Sequence, residues 1–253
     1  MNFRVKLINC VRFKSMEMSE KSEWLKYHST LPDSGPLYTE TDFSHFIVEP
    51  WNAVSSLAFL VPAIFWLSKI NWDFKQYPVL FICGILLLVG GTGSTLYHAF
   101  RSSRILIMMD FLPMALATLT VSSYLWYRLL FRKWYWVASV VLPVLVLRQQ
   151  LFDWLNHHNA INVSYFLSGT MMFLPMVLLL WFTKWHNWLD AVLALTGFVL
   201  ALFFRQIDAW HPPLTPIGTH FLWHVLAAWG SFHLARHLYR LATYYKLGNL
   251  ESD

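Results

Sequence analysis

The sequence predicts an all-α, polytopic membrane protein, a bundle of seven transmembrane helices, on three observations. First, 57% of its 253 residues are hydrophobic and only 13% are charged. A soluble domain carries about 25% charged residues, so a soluble fold of this chain would lack the polar side chains to cover its surface. Second, apolar stretches long enough to cross a bilayer as helices, about 20 residues each, recur at 51–70, 78–98, 106–127, 134–152, 163–182, 188–205 and 217–238. Third, Trp134, Tyr135, Trp136, Trp181, Trp185 and Trp188 crowd the ends of these stretches, as in the aromatic belts at membrane interfaces. The stretches are continuous rather than alternating, which argues against a β-barrel.

Taken in order, residues 1–48 read as a soluble arm. They are rich in Lys, Arg and Glu and end in an acidic stretch with Glu40 and Asp42, and the apolar run Leu7–Val11 is too short and broken for a signal-peptide core. The membrane domain is expected over 49–241, with a short tail at 242–253. The first span follows Glu49-Pro50. The second ends in the run Gly90-Gly91-Thr92-Gly93-Ser94-Thr95-Leu96-Tyr97-His98, and the third opens with Met108-Met109-Asp110-Phe111-Leu112-Pro113. The fourth and sixth are the weakest, because they contain Arg148 and Asp190, each near an end where side chains reach the interface. The joint before the fifth holds His157 and His158, read as solvated. The seventh opens with Gly218-Thr219-His220-Phe221-Leu222-Trp223-His224; near its other end His233 and His237 sit beside Arg236 and Arg240 and read as interfacial.

Seven spans place the termini on opposite sides. One side carries Arg101, Arg104, Arg148 and Arg205; the other carries Lys69, Lys75, Arg128, Arg132, Lys133, Lys184, Arg236, Arg240 and Lys246. The positive-inside rule then puts the N-terminus outside, lumenal or periplasmic, and the C-terminus in the cytoplasm. The net charge of +5 is accounted for by these flanks and does not point to nucleic acid. Cys10 and Cys83 make neither a disulfide framework nor a metal-site spacing. There is no P-loop, dinucleotide fingerprint, nucleophile elbow or HExxH motif, no internal repeat of the transporter kind, and no feature that names a protein partner.

Ionisable groups inside spans are costly and mark functional sites by default. Here they gather. Alternating span direction puts Ser94, His98, Asp110, His220 and His224 at one face of the bilayer, the face where the acidic arm also lies. Ser94 and His98 are four residues apart, as are His220 and His224, so each pair shares a helix face. Three imidazoles with an open fourth position are how catalytic zinc sites are built, and a nearby carboxylate can take a proton from water. Bland readings stand beside this one: Ser94 as packing within a small-residue strip, Asp110 as a partner of Arg101 or Arg104. Asp208, in the joint before the seventh span, reads as a support behind the metal ligands or a substrate-hydroxyl contact, and about equally as a solvated loop carboxylate. Met108, Met109, Met171 and Met172 read as core filling ahead of a lipid cavity.

The order Ser94-x-x-x-His98, Asp110, His220-x-x-x-His224 resembles the seven-helix membrane hydrolases of the CREST superfamily. Within it the chain looks most like the alkaline ceramidases, through Glu49-Pro50-Trp51-Asn52-Ala53-Val54-Ser55-Ser56, Gly93 to His98, Met109 to Met114 and Gly218 to His224. The resemblance covers about residues 40–240. It implies Zn2+ held by His98, His220 and His224, with Ser94 and Asp110 at the zinc water, and hydrolysis of the amide of a ceramide-like membrane lipid to a sphingoid base and a fatty acid. It also implies a Ca2+ site in the arm, for which Glu40, Asp42 and Glu49 are the available carboxylates, with Ser44 beside them. There the chain departs from the family, whose Asp-Trp-x-Glu-x-Asn cluster has no counterpart here. The alternative is a zinc-containing receptor of the progestin and adipoQ class.

Overall fold

The computed structural model describes Asp33 and residues 35–155, 157–208 and 213–246. The basic part of the arm with Cys10, the Trp210–His211 pair, the side chains of His157, His158 and Lys246, and the tail from 247 lie outside the described residues. Within them the chain is all helix and loop, with seven long helices and no strand. These are α1 (Pro50–Lys69, with one 3₁₀ turn at Leu57–Phe59), α2 (Pro78–Phe100), α3 (Arg104–Leu129), α4 (Trp134–Trp154), α5 (His157–Phe182), α6 (Trp188–Ile207) and α7 (His220–Lys246).

Six of them, α1 to α6, are long and apolar enough to cross a membrane, and the protein is an all-α bundle of integral-membrane character. The seventh fails on apolarity, not on length: its 27 residues rise about 40 Å at 1.5 Å each. It carries His220, His224, His233, Arg236, His237 and Arg240, and its four histidines are buried. The histidines turn to the bundle interior, while Arg236 and Arg240 keep about 40% of their side chains exposed. The large apolar side chains left exposed, among them Val61, Ile64, Ile105, Val146, Phe166 and Trp181, are the surface a bilayer would cover.

Proline starts two helices, at Pro50 and Pro78, where its fixed φ and missing N–H cost nothing. The helix starts differ from the sequence reading chiefly at α5, which begins at His157 rather than 163, so His157 and His158 open a helix rather than lie in a joint, and at α7, which begins at His220 rather than 217. Pro216 and Gly218, the latter at φ +73°, keep 217–219 in a turn.

The helices close a ring in the order α1, α2, α3, α5, α6, α7, with α4 outside against α3 and α5. The tightest pairs are α2 with α3 and α6 with α7. Pro113 explains the first. It cannot donate to the Met109 carbonyl one turn back, and Gly93 packs onto that carbonyl so closely that a Cβ there would lie 2.4 Å from the oxygen.

One half of the ring is filled by an apolar core including Leu125, Met172, Phe173, Met176, Leu180, Ala194, Leu234 and Leu238, so Met172 is core filling. Asp190 corrects the sequence reading. It does not reach the interface but is buried in the first turn of α6, accepting from Arg240 at 2.6 Å, with His233 at 3.4 Å and Arg236 at 3.5 Å. Buried His233 and His237 therefore belong to the α6–α7 seam, not to the interface; His237 Nδ1 lies 3.4 Å from the Asn187 carbonyl.

Candidate metal centre

The other half of the ring holds the polar residues. The last turns of α2 carry Ser94 and His98, and the first turns of α7 carry His220 and His224; all four are buried. One potential ligand atom from each of His98, His220 and His224 lies within 4.8 Å of the others, the one such grouping among the described residues. The ring centroids are 4.8 Å apart for His220 and His224, 4.9 Å for His98 and His224, and 5.4 Å for His98 and His220.

The ring nitrogens show what the group is prepared for. His98 Nδ1 meets the Glu49 carboxylate. An ionised carboxylate only accepts, so the proton is on Nδ1 and Nε2 presents its lone pair, buried and without a partner. Ser55 and Ser56 both donate to the Asn52 carbonyl, at 3.1 and 2.8 Å. Their oxygens can then only accept from His224 Nδ1, at 2.8 and 3.2 Å, which leaves His224 Nε2 as the free lone pair. His220 Nδ1 is also buried and unpartnered. Buried polar atoms left unpaired cost about 1–3 kcal/mol each. Neutral imidazoles gathered this way fit a metal cation, and the Glu49 contact is the carboxylate–histidine pairing that orients metal-bound imidazoles.

Ser94 and Asp110 are beside them. The Ser94 hydroxyl lies 2.9 Å from Ser56 Oγ, and Ser94 is near enough to the Asp110 carboxylate to interact with it. Asp110 does not pair with Arg101, whose guanidinium instead binds Glu49 and Asp33. The arm covers this end of the bundle. Tyr38 lies over His220 with ring centroids 3.9 Å apart, and burial pushes its phenol above the ordinary range, so it stays protonated.

The carboxylates predicted for calcium are at this end too, but they do not converge. Glu40 receives the backbone N–H groups of Trp51 and Asn52 and so caps α1; burial raises its carboxyl above the usual range against those bonds. Asp42 is exposed and accepts from Ser44 Oγ at 2.7 Å and Ser44 N at 2.8 Å, which hold its carboxyl low. Glu49 is buried and bound by His98, Arg101 and Thr41. Burial opposes its charge, but His98 and Arg101 outweigh that and hold it below the ordinary range. Each carboxylate is committed separately, so the three do not form the cage of oxygens that calcium needs.

Asp208 has backbone partners at this end. It is buried; its Oδ1 accepts from Thr219 N at 2.5 Å and His220 N at 3.0 Å, and Oδ2 from Thr39 N at 3.2 Å. It supplies the anion that caps α7. Gly218 is required here, since a Cβ would fall 2.3 Å from Asp208 Oδ1. Sequence reasoning missed Tyr38, gave Ser55 and Ser56 no role of their own, and read Arg101 as a flank or a partner of Asp110. Ser55 and Ser56 follow Trp51-Asn52 by one helical turn, which was the available signal; nothing local marks Tyr38.

The chain matches no family model, and no curated protein matches it.

Proposed function

We propose that the protein is an intramembrane zinc-dependent amidase that hydrolyses ceramide-like N-acyl sphingolipids to a sphingoid base and a fatty acid. The observation that carries this reading is the convergence of three buried imidazoles, two with unpartnered ring nitrogens, next to the Ser94–Asp110 pair. His98, His220 and His224 would hold the zinc, which supplies Lewis-acid polarisation of a carbonyl and a more acidic water. Asp110 accepts a proton at its carboxylate as water adds to the amide carbonyl carbon, and returns it to the nitrogen as the C–N bond breaks. Ser94, beside Asp110, turns its one hydroxyl proton to the developing oxyanion. The paired Ser55 and Ser56 hydroxyls fix His224, and Glu49 fixes His98.

The site lies where α2 ends and α7 begins, at one end of the bundle, which suits a substrate whose amide is just below a lipid headgroup. The distribution of Lys and Arg supports placing this end at the lumenal or periplasmic face. The identity of the lipid and of the metal rests on the resemblance to the alkaline ceramidases.

Turnover of a labelled ceramide by purified protein in nanodiscs tests the reading. Asp110→Asn should keep the metal and lose about 10²–10⁴-fold in rate, the usual worth of general-base help. Zinc-loaded wild type that leaves ceramide intact would refute the substrate assignment.

A further inference from the structure

We propose that Arg101 is a built-in cation, standing where the resemblance implies calcium, and that it is a positioning residue for His98. This rests on the reading that His98, His220 and His224 hold a metal.

The guanidinium is only 1% exposed. Its Nε binds Asp33 and its NH1 binds Glu49 Oε1, while Tyr97, Tyr38 and Phe43 surround it with ring centroids 4.8, 5.9 and 6.0 Å away. A cation enclosed by two carboxylates and three aromatic faces is held in one place. Its backbone at φ 48° and ψ 30° ends α2 in a left-handed turn, which puts Arg101 three residues beyond His98 and beside the arm.

Glu49 has two oxygens with two uses. Oε1 accepts from Arg101 and Thr41, and Oε2 from His98 Nδ1. Fixing Oε1 fixes the plane of the carboxylate, and so the direction in which Oε2 meets the imidazole. The same corner is pinned through the backbone, where Val48 N donates to the Ala99 carbonyl at 2.9 Å and Glu49 N to the His98 carbonyl at 3.1 Å. These bonds satisfy two carbonyls that the end of α2 would otherwise leave open. Asp33, Glu49 and Arg101 together carry a net charge of −1 beside three imidazoles, which favours a divalent cation among them. Calcium seeks six to eight oxygens, and the Glu49 oxygens are already taken. The charge that docks the arm and aims His98 is covalently part of the chain, so the metal centre needs no calcium.

The test uses the full chain, stripped of divalent ions and reloaded with zinc alone. Zinc affinity is measured by competition with a chromophoric chelator, thermal unfolding in parallel, and calcium is then titrated in. Wild type should show the same zinc affinity and unfolding temperature with and without calcium. Glu49→Gln and Arg101→Met should bind zinc about 10–100-fold more weakly, the usual cost of losing a group that orients a ligand, and Arg101→Lys should recover part of the loss. If Arg101→Met does not fold, Glu49→Gln and Arg101→Lys decide. Folded variants with wild-type zinc affinity, or a wild type whose unfolding temperature or zinc affinity rises with calcium, would overturn the proposal and leave the metal reading standing. A wild type that binds no zinc would overturn both.

Discussion

Replacing Asp208 with Ala separates a structural carboxylate from a substrate contact. Its carboxylate accepts from three backbone N–H groups, those of Thr39, Thr219 and His220. Truncation leaves these donors without an acceptor at a buried corner. At about 1 kcal/mol each, the low end for unsatisfied buried donors, plus about 0.5–1 kcal/mol for the lost charge at a helix N-terminus, the cost comes to about 3.5–4 kcal/mol. Asp208→Asn keeps one oxygen but turns an NH2 toward a backbone N–H, and should cost about half as much. His220 is one of the three donors, so the first turn of α7 loosens and zinc binding weakens too. Every 1.4 kcal/mol that reaches the metal site lowers affinity tenfold. The measurements are equilibrium unfolding in detergent and chelator competition for zinc. If Asp208→Ala unfolds like wild type, binds zinc as tightly, and shows only a raised KM, the capping account is wrong and a substrate contact is the better description.

Further outcomes follow from the same geometry. His220→Ala should take bound zinc from near one per chain to well below that, read by elemental analysis of monodisperse protein. Gly93→Ala puts a Cβ 2.4 Å from the Met109 carbonyl oxygen, which is backbone and cannot swing aside; overpacking of this kind costs about 1–3 kcal/mol, and unfolding should show it. Asp190→Asn removes the negative charge, and one of the two acceptor oxygens, shared by Arg240, Arg236 and His233. With both arginines about 40% exposed, solvent screens much of the gain, so about 1–2 kcal/mol of stability should be lost while zinc content is unchanged.

The sequence by itself determined what depends on local pattern. Helix length and apolar content are properties of contiguous residues, so the helices were legible from the runs alone, α7 included, though its four histidines lower its apolarity. The i,i+4 spacing of Ser94 and His98, and of His220 and His224, was legible for the same reason: 3.6 residues per turn puts such pairs on one face. Span alternation then placed both pairs at one end, where the structure has them. Tertiary structure alone decided what each polar group is opposite. His233 and His237 have the same spacing as His220 and His224, yet face Asp190 and the Asn187 carbonyl, whereas the earlier pair meets a third imidazole from α2. Glu49 and Asp190 read in sequence as a calcium ligand and an interfacial carboxylate, and Asp208 as a support behind the site, a substrate contact or a solvated carboxylate. In the fold they orient His98, cap α7 and tie α6 to α7. The cost of burying a carboxylate is met by whichever donors the packing brings to it. For Glu49 and His98 that donor is 49 residues away, and for Asp190 and Arg240 it is 50, so the role of each carboxylate was set by the closing of the ring rather than by its neighbours in the chain.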